Sequence, residues 1–494
     1  MADRLGTGRG GPTGDRVLDG LIARHERDVR PRLDRLWRYF RNPPEPVGAA
    51  GMGFGAGACE ARRLRLAQER GLPARLRGSG DASVDDRSGA RREVVIENDI
   101  AWRVQSMVDF MFGEPIGMLS TAEDERLRAR IERLLEGVWE RSGGMGLFQD
   151  MALLGAVYGH VDLVLRVDEA GLELAGAALG DGELSGSDAA ELAGLFRVEP
   201  IEPTRGIPVV HEDDYRELAG YVVHYRRRRA EGADVASEAE GTVTEVLWPG
   251  RRRVYEDGRV VVERSSRLMP DVVPVVHIQN LSQPFEYEGL GEVEPLIPLQ
   301  DELNTRLSDR ASRVTMQTFK MYLAKGLDGF DRVPIGPGQV WATDNMEASV
   351  EAFGGDGSSP SEESHILEVR EAMDKVSGVP PIASGVVRAK IGNLSSANAL
   401  RITLMGVLAK TARKRVGYGR GIAQIGEMVL AACDAAGVLR TRAGERGVRL
   451  VWPDPIPSDV RDRVVAARAK EDLGVPRDRV LSELGYAPTD PGIE

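Results

Sequence analysis

The chain has 494 residues, too many for one simple core, so two to four domains are expected. Hydrophobic residues make up 42% and charged residues 29%, ordinary for a globular protein, but aromatics are only 5%, so the cores must be built mainly from Leu, Val, Ile and Ala. A net charge of -12 argues against a protein that grips nucleic acid by broad phosphate neutralisation, while allowing one past which nucleic acid slides. Cys59 and Cys433 lie far apart and give no disulfide framework, which fits a reducing compartment. Cys433 reads as a small buried hydrophobe on a helix. No apolar run reaches the roughly 20 residues of a membrane helix. The N-terminal stretch lacks the apolar core of a secretory signal, so a product made or assembled in the cytoplasm is expected.

In chain order, residues 1–14 are Gly-rich and read as flexible. Residues 15–40 carry Val17, Leu21, Val29, Leu33, Leu36 and Phe40 at a broken helical spacing, with a kink or two helices expected from Pro31 and a stop at Asn42-Pro43-Pro44. Residues 45–93 read as a Gly/Ala/Arg arm with one short helix near 58–69. A helix over 98–111 stops at Gly113-Glu114-Pro115. Thr121-Ala122-Glu123-Asp124 opens another with a capping-type start, carrying Leu127, Ile131, Leu134, Leu135 and Val138. Residues 148–158 form an apolar helix, Gly159 breaks it, and 161–167 alternate as a strand. The acidic, Gly- and Ala-rich stretch 168–194 reads as a surface insertion. Strands are expected at 196–201, 221–225, 242–248, 252–255, 260–263 and 272–278. The run Arg226 to Arg229 reads as a solvated strand end beside the acids of 231–240, in preference to a nucleic-acid contact.

The stretch 286–404 organises the rest. A long amphipathic helix signal over 289–323 carries Leu296, Ile297, Leu299, Leu303 and Leu307, and Pro295 and Pro298 place its continuous part from near Ile297. A strand-and-turn segment over 324–360 follows, then a helix over 362–376, a loop over 377–394, and a helix from Ser395 or Ser396 to about Ala436. Either serine would cap that helix. Its basic cluster, Lys410, Arg413, Lys414 and Arg415, falls within about two turns. Two helices going out and back with a β module at the far end make a stalk with a head, a shape suited to packing on copies of itself. A short strand over 448–452 and two helices, 460–472 and 477–484, complete the chain.

Motifs for chemistry are missing. No GxxxxGK[ST], HExxH, paired CxxC or GxSxG occurs. His25, His160, His211, His224, His277 and His365 have no metal spacing and read as structural or surface histidines. The Gly51–Gly57 stretch lacks the flanking strand of a dinucleotide loop, and Glu212-Asp213-Asp214 reads as a turn.

The order of features resembles a tailed-bacteriophage portal protein of long-tailed phages. Arg35-Leu36-Trp37-Arg38-Tyr39-Phe40 is similar to the family's N-terminal helix end, and residues 98–118, closing on Phe112-Gly113-Glu114-Pro115-Ile116-Gly117-Met118, to its helix and Gly-x-Pro-Ile turn. Ala156-Val157-Tyr158-Gly159-His160-Val161-Asp162 is similar to its helix–Tyr-Gly–strand step, and Pro274-Val275-Val276-His277-Ile278-Gln279-Asn280 to its strand ending in Asn. Tyr287-Glu288-Gly289 followed by Leu296 to Asn304 resembles the first stem helix. Ser377-Gly378-Val379-Pro380-Pro381, then Gly392-Asn393-Leu394-Ser395-Ser396-Ala397-Asn398-Ala399-Leu400, resembles the loop and the helix after it. Shared order over about 30–485 carries the resemblance; segments 45–93 and 168–194 depart from it.

The resemblance implies an α+β, mainly α, portal fold: flexible N-terminus 1–29, wing 30–285 and 395–447, stem 286–318 and 361–378, clip 319–360, tunnel loop 379–394 and crown 448–494. It implies a ring, usually of twelve subunits, at one capsid vertex of the virion, through which double-stranded DNA is packaged and ejected. It implies no enzymatic activity and no cofactor. The implied partners are further copies of the chain, the large terminase ATPase, head-tail adaptor proteins, and the major capsid and scaffolding proteins, with no membrane. Arg388, Lys390 and Asn393 in the loop are the first candidates for DNA contact, and Lys410, Arg413 and Lys414 the second; the bland alternative for the latter is a solvated helix face. Rival readings are another head-tail connector ring, or a metal-dependent nucleic-acid-processing enzyme.

Overall fold

The computed structural model describes residues 12–46, 64–77, 93–179, 186–214, 216–230, 238–318, 321–325, 345–353, 359–385, 397–456, 460–475, 477 and 480–481. It is a mixed helix-and-sheet fold. Helix α1 (Arg16–Arg24) is capped by Asp15, whose carboxylate accepts from the Val17 and Leu18 amides. A π-helical turn, His25–Val29, leads into α2 (Arg30–Arg41). The distortion expected at Pro31 therefore falls just before it, and the proline sits in a first turn that tolerates it. Next, β1 (Pro44–Pro46) pairs antiparallel with β2 (Leu64–Leu66).

A 3-10 turn, Ala67–Gly71, follows β2, so the described part of 58–69 is a strand and the start of a 3-10 turn where one short helix is expected. Tertiary hydrogen bonds decide this. The buried Gln68 amide donates to Tyr39 O at 2.7 Å and Asn98 Oδ1 at 2.8 Å. The body continues with α3 (Asp99–Phe112), β3 (Gly117–Ser120), α4 (Glu125–Arg141), α5 (Gly144–Tyr158) and β4 (His160–Val167). Asp124, the last residue of the predicted capping stretch, caps α4 through the Arg126 and Leu127 amides. Gly159, at φ +93, ends α5.

The stretch read as a surface insertion is instead α6 (Glu169–Leu179) and α7 (Gly186–Ala193). Leu172, Leu192 and Ala193 are buried in the main core, so this stretch helps to build it. Strands β5 (Phe196–Ile201), β6 (Gly206–Val210), β7 (Leu218–Ala230), β8 (Glu238–Trp248), β9 (Arg251–Glu256), β10 (Arg259–Ser265) and β11 (Val275–Gln279) follow. Then come α8 (Ile297–Thr318), β12 (Met321–Lys325), β13 (Ser349–Phe353), α9 (Pro360–Ser377), α10 (Ala397–Thr403), α11 (Met405–Ala435), β14 (Val448–Val451) and α12 (Val460–Asp472). Helix α8 starts where the prolines place it but stops short of Leu323. That residue lies in β12, paired with Glu351 of β13.

Among the described residues all strand pairs are antiparallel. One sheet has the order β11-β4-β5, a second the meander order β10-β9-β8-β7-β6, and β14 pairs with β3. Arg226 and Arg227 lie on β7 in ion pairs with Glu26 and Glu256, as the solvated-strand reading expects. The main core joins α3, α4 and α5, the first sheet and the C-terminal half of α11, including Cys433. A second core gathers Leu33, Leu36 and Phe40 of α2, Ile100 and Val104 of α3, Leu303 of α8, and Ile366, Val369 and Met373 of α9. The α8–α9 pair is thus seated on the body by one apolar face of each helix. Arg313 pairs with Glu362, and Arg310 with Glu363 at 3.6 Å, across the two helices.

Candidate functional site at the foot of the loop after the second stalk helix

Helix α9 ends at Gly378, whose φ of +66 is the left-handed conformation glycine adopts without strain. From there the chain enters the loop that carries the first DNA-contact candidates. The last helical residue, Ser377, is buried and held from two sides. On one side is Arg103 of α3. Its Nη1 donates to Val379 O at 2.6 Å and to Ser377 Oγ at 3.2 Å, and lies 2.7 Å from Asp374 Oδ1. Asp99, one turn earlier on α3, sits 3.5 Å from the same guanidinium, which also stacks over the Trp102 ring at 4.3 Å.

On the other side is α11. Lys410 Nζ donates to Ser377 O at 2.6 Å and pairs with Glu292, while Lys414 Nζ lies 2.8 Å from Glu292 Oε1. Burial pushes the Glu292 carboxyl up, but the two ammonium groups outweigh it and hold the carboxyl below the usual glutamate range. Three cations, Arg103, Lys410 and Lys414, therefore face three carboxylates, Asp99, Asp374 and Glu292, around one backbone turn. The network is balanced in charge, which is the condition for burying so many ions.

Glu292 reaches this place because the chain before α8 is pressed against the end of α5. Its amide donates to Ala156 O at 2.6 Å. A Cβ on Gly159 would lie 2.2 Å from Gly289 O, so only glycine permits that approach. The Asn280 amide donates to Gly159 O at 2.8 Å, and its side chain donates to Leu290 O at 3.0 Å. Residues quoted above from separate motifs, the Tyr-Gly step, the strand-ending Asn and Gly289, thus meet in one seam. Beside it, Asp162 is buried among Tyr221 Oη at 2.5 Å, His277 Nδ1 at 2.6 Å and Tyr287 Oη at 2.9 Å. His277 Nε2 faces Tyr287 O at 2.7 Å. Both ring nitrogens of His277 thus meet oxygen acceptors. Burial lowers the neighbouring His160 to about 4, so it is neutral at neutral pH.

Arg388, Lys390 and Asn393, like Ser395 and Ser396, lie outside the described residues. The second set of candidates divides. Arg413 is exposed. Lys410 and Lys414 are 7% and 2% exposed and point inward, which corrects both the DNA-contact reading and the solvated-face reading for these two. The reason is helical phase. Val407, Lys410, Thr411, Lys414 and Tyr418 share the face that packs on the body. That spacing was visible in the sequence. Arg415 is half-buried, with its guanidinium 5.1 Å from the Trp452 ring centre. Sequence reasoning missed Arg103, Asp374 and Glu292. Apart from Asp99 beside Arg103, their partners lie more than a hundred positions away, and only the fold brings them together.

The titratable side chains gathered here hold backbone in place, and the fold seats a helical pair on a body of sheets and helices. The model of the family described as phage portal protein, SPP1 Gp6-like, matches residues 84–485, and the chain belongs to that family. Two solved structures are similar at 13% identity. The virion of a native gene transfer agent (GTA) particle gives a TM-score of 0.42 over 79% of this chain and 90% of the other. The neck of an empty GTA particle computed with C6 symmetry gives 0.43 over 82% and 93%. No curated protein matches this chain.

Proposed function

We propose that this chain forms the ring-shaped DNA channel at one vertex of a virion capsid. Double-stranded DNA enters and leaves through it, and the packaging ATPase and head-tail adaptor proteins dock on it. The observation that carries the reading is the family match over residues 84–485. In this reading α8 and α9 are the stem, 319–360 the clip at its far end, residues 30–285 and 395–447 the wing, 448–494 the crown, and 379–394 the loop that faces the axis. Twelve copies close the ring, and the chain catalyses no reaction.

Two physical features support the reading. The overall charge of -12 opposes tight phosphate binding, so DNA held in line is not gripped. The charge network at Ser377 fixes the place where the chain leaves α9, a firm foot for the DNA contacts proposed for Arg388, Lys390 and Asn393. Brief contacts from these few residues are then compatible with movement. The test is complementation. Particles assembled without this chain, or with a chain lacking 386–394, hold no protected DNA, and wild-type chain restores it. Full DNA content in particles that lack the chain would overturn the reading.

A further inference from the structure

The helix that follows the loop has two faces. Helices α10 and α11 meet at Leu404, whose amide donates to Leu400 O and whose carbonyl accepts from the Leu408 amide, both at 2.9 Å. One face holds Lys410 and Lys414 against the body. The other carries Ile402, Met405, Ala409, Ala412 and Val416, at steps of three and four residues, all exposed; Ile402 is 72% and Val416 67% exposed. On α11 that spacing draws an apolar seam from Met405 to Val416, with Ile402 of α10 just before it. Its rim is basic. Arg413 and Arg420 are exposed and make no ion pair among the described residues, while Arg401 pairs with Asp454.

A second exposed face answers it. On α9, Leu367 is 58% exposed and is bordered by Glu363, Glu368 and Glu371. These acids are exposed, and each has one ion-pair partner at 3.6 to 4.0 Å; Glu368 also accepts from Ser364 Oγ at 3.3 Å. Glu371 lies 4.0 Å from Lys375, Glu368 4.0 Å from His365 and Glu363 3.6 Å from Arg310. Seam against seam would bring arginines together, and α9 against α9 would bring carboxylates together. Of these three pairings, seam against α9 is the one that matches charge.

We infer that the α10–α11 seam of one copy packs on the acidic face of α9 in the next copy. This rests on the ring reading above and names the contact that builds the ring next to the axial loop. Joining two different patches head to tail is the arrangement that closes into rings, whereas a self-complementary patch closes a dimer. The seam lies back to back with the Lys410–Glu292–Lys414 network. A neighbour seated on it therefore bears on the helix that holds the foot of the loop.

Charge reversal in mixtures tests the contact. R413E/R420E reverses the seam rim, and E368R/E371R reverses the α9 face. Each variant alone is expected to lose rings at least tenfold at a protein concentration where wild type is fully assembled, as counted by mass photometry and electron microscopy. Mixing the two restores rings with alternating copies, because each contact again joins opposite charges. The chain with all four reversals also assembles, which shows that the substitutions leave the fold intact. Rings from either variant alone at the wild-type level would leave the seam to another protein and overturn the contact, as would a mixture that stays unassembled. Wild-type chain that forms no rings would overturn the ring reading and the contact together.

Discussion

Substituting Glu292→Gln leaves shape almost unchanged and removes one charge from the network at the foot of the loop. The side chain is almost wholly buried between two ammonium groups that are themselves buried, with Lys414 Nζ at 2.8 Å. Three cations would then face two carboxylates, and all three cations are buried. Breaking a buried pair by removing one partner costs about 3–5 kcal/mol, because the partner left behind stays desolvated. The same substitution on a surface pair would cost at most about 1 kcal/mol. Urea unfolding at one fixed protein concentration measures the loss, and proteolysis within residues 379–404 reports whether the loop has lost its foot. Adding Lys414→Met restores the charge balance, so the double variant should recover roughly 1–3 kcal/mol relative to the sum of the single losses. A loss for Glu292→Gln below about 1 kcal/mol, with strictly additive effects in the double variant, would refute the reasoning.

Other outcomes follow from the same structure. Gly155→Ala would place a Cβ 2.0 Å from Tyr418 Oη and should destabilise by about 1–3 kcal/mol. Gly146→Ala, on the same helix with nothing within 4 Å, should be neutral or stabilising by up to about 1 kcal/mol; equal thermal shifts for the two would contradict the packing described. Tyr221→Phe removes the 2.5 Å hydrogen bond to the buried Asp162 carboxylate and should cost about 1.5–3 kcal/mol in urea unfolding; an unchanged midpoint would contradict it. Acid should weaken the fold in a defined window. Burial holds folded His160 at about 4 while the unfolded chain protonates it near 6.5, so the unfolded state takes up the proton first. Stability is then fully present above about 6.5 and is lost as pH falls toward 4, on the order of 3 kcal/mol from this residue. His160→Gln should flatten the pH dependence of the melting temperature across that window, and an unchanged slope would count against a buried neutral histidine.

Much of the fold was legible because periodicity and punctuation are local. Pro295 and Pro298 placed the start of α8, Gly159 the end of α5, and alternation most of the second sheet. Short strands were harder. β3 carries four residues and depends on a partner distant in sequence, Val448–Val451, and β6 carries only five. The stretch 168–194 was misjudged on composition, since glycine, alanine and acids outnumber the few leucines that reach the core. The candidate site shows the sharpest limit. A lysine looks alike in sequence whether its ammonium meets water or Glu292, and that glutamate is 118 residues away from Lys410. Phase on the helix separated the two cases, because Lys410 and Lys414 share a face with Val407 and Tyr418 and Arg413 does not.

Electron microscopy of the purified chain, with mass measured on the same sample, tests the central claim most directly. The portal reading predicts closed rings with a central hole wide enough for double-stranded DNA, and the mass gives the number of copies, expected to be twelve. A compact monomer or dimer at high concentration, with no rings at any salt concentration, would contradict it.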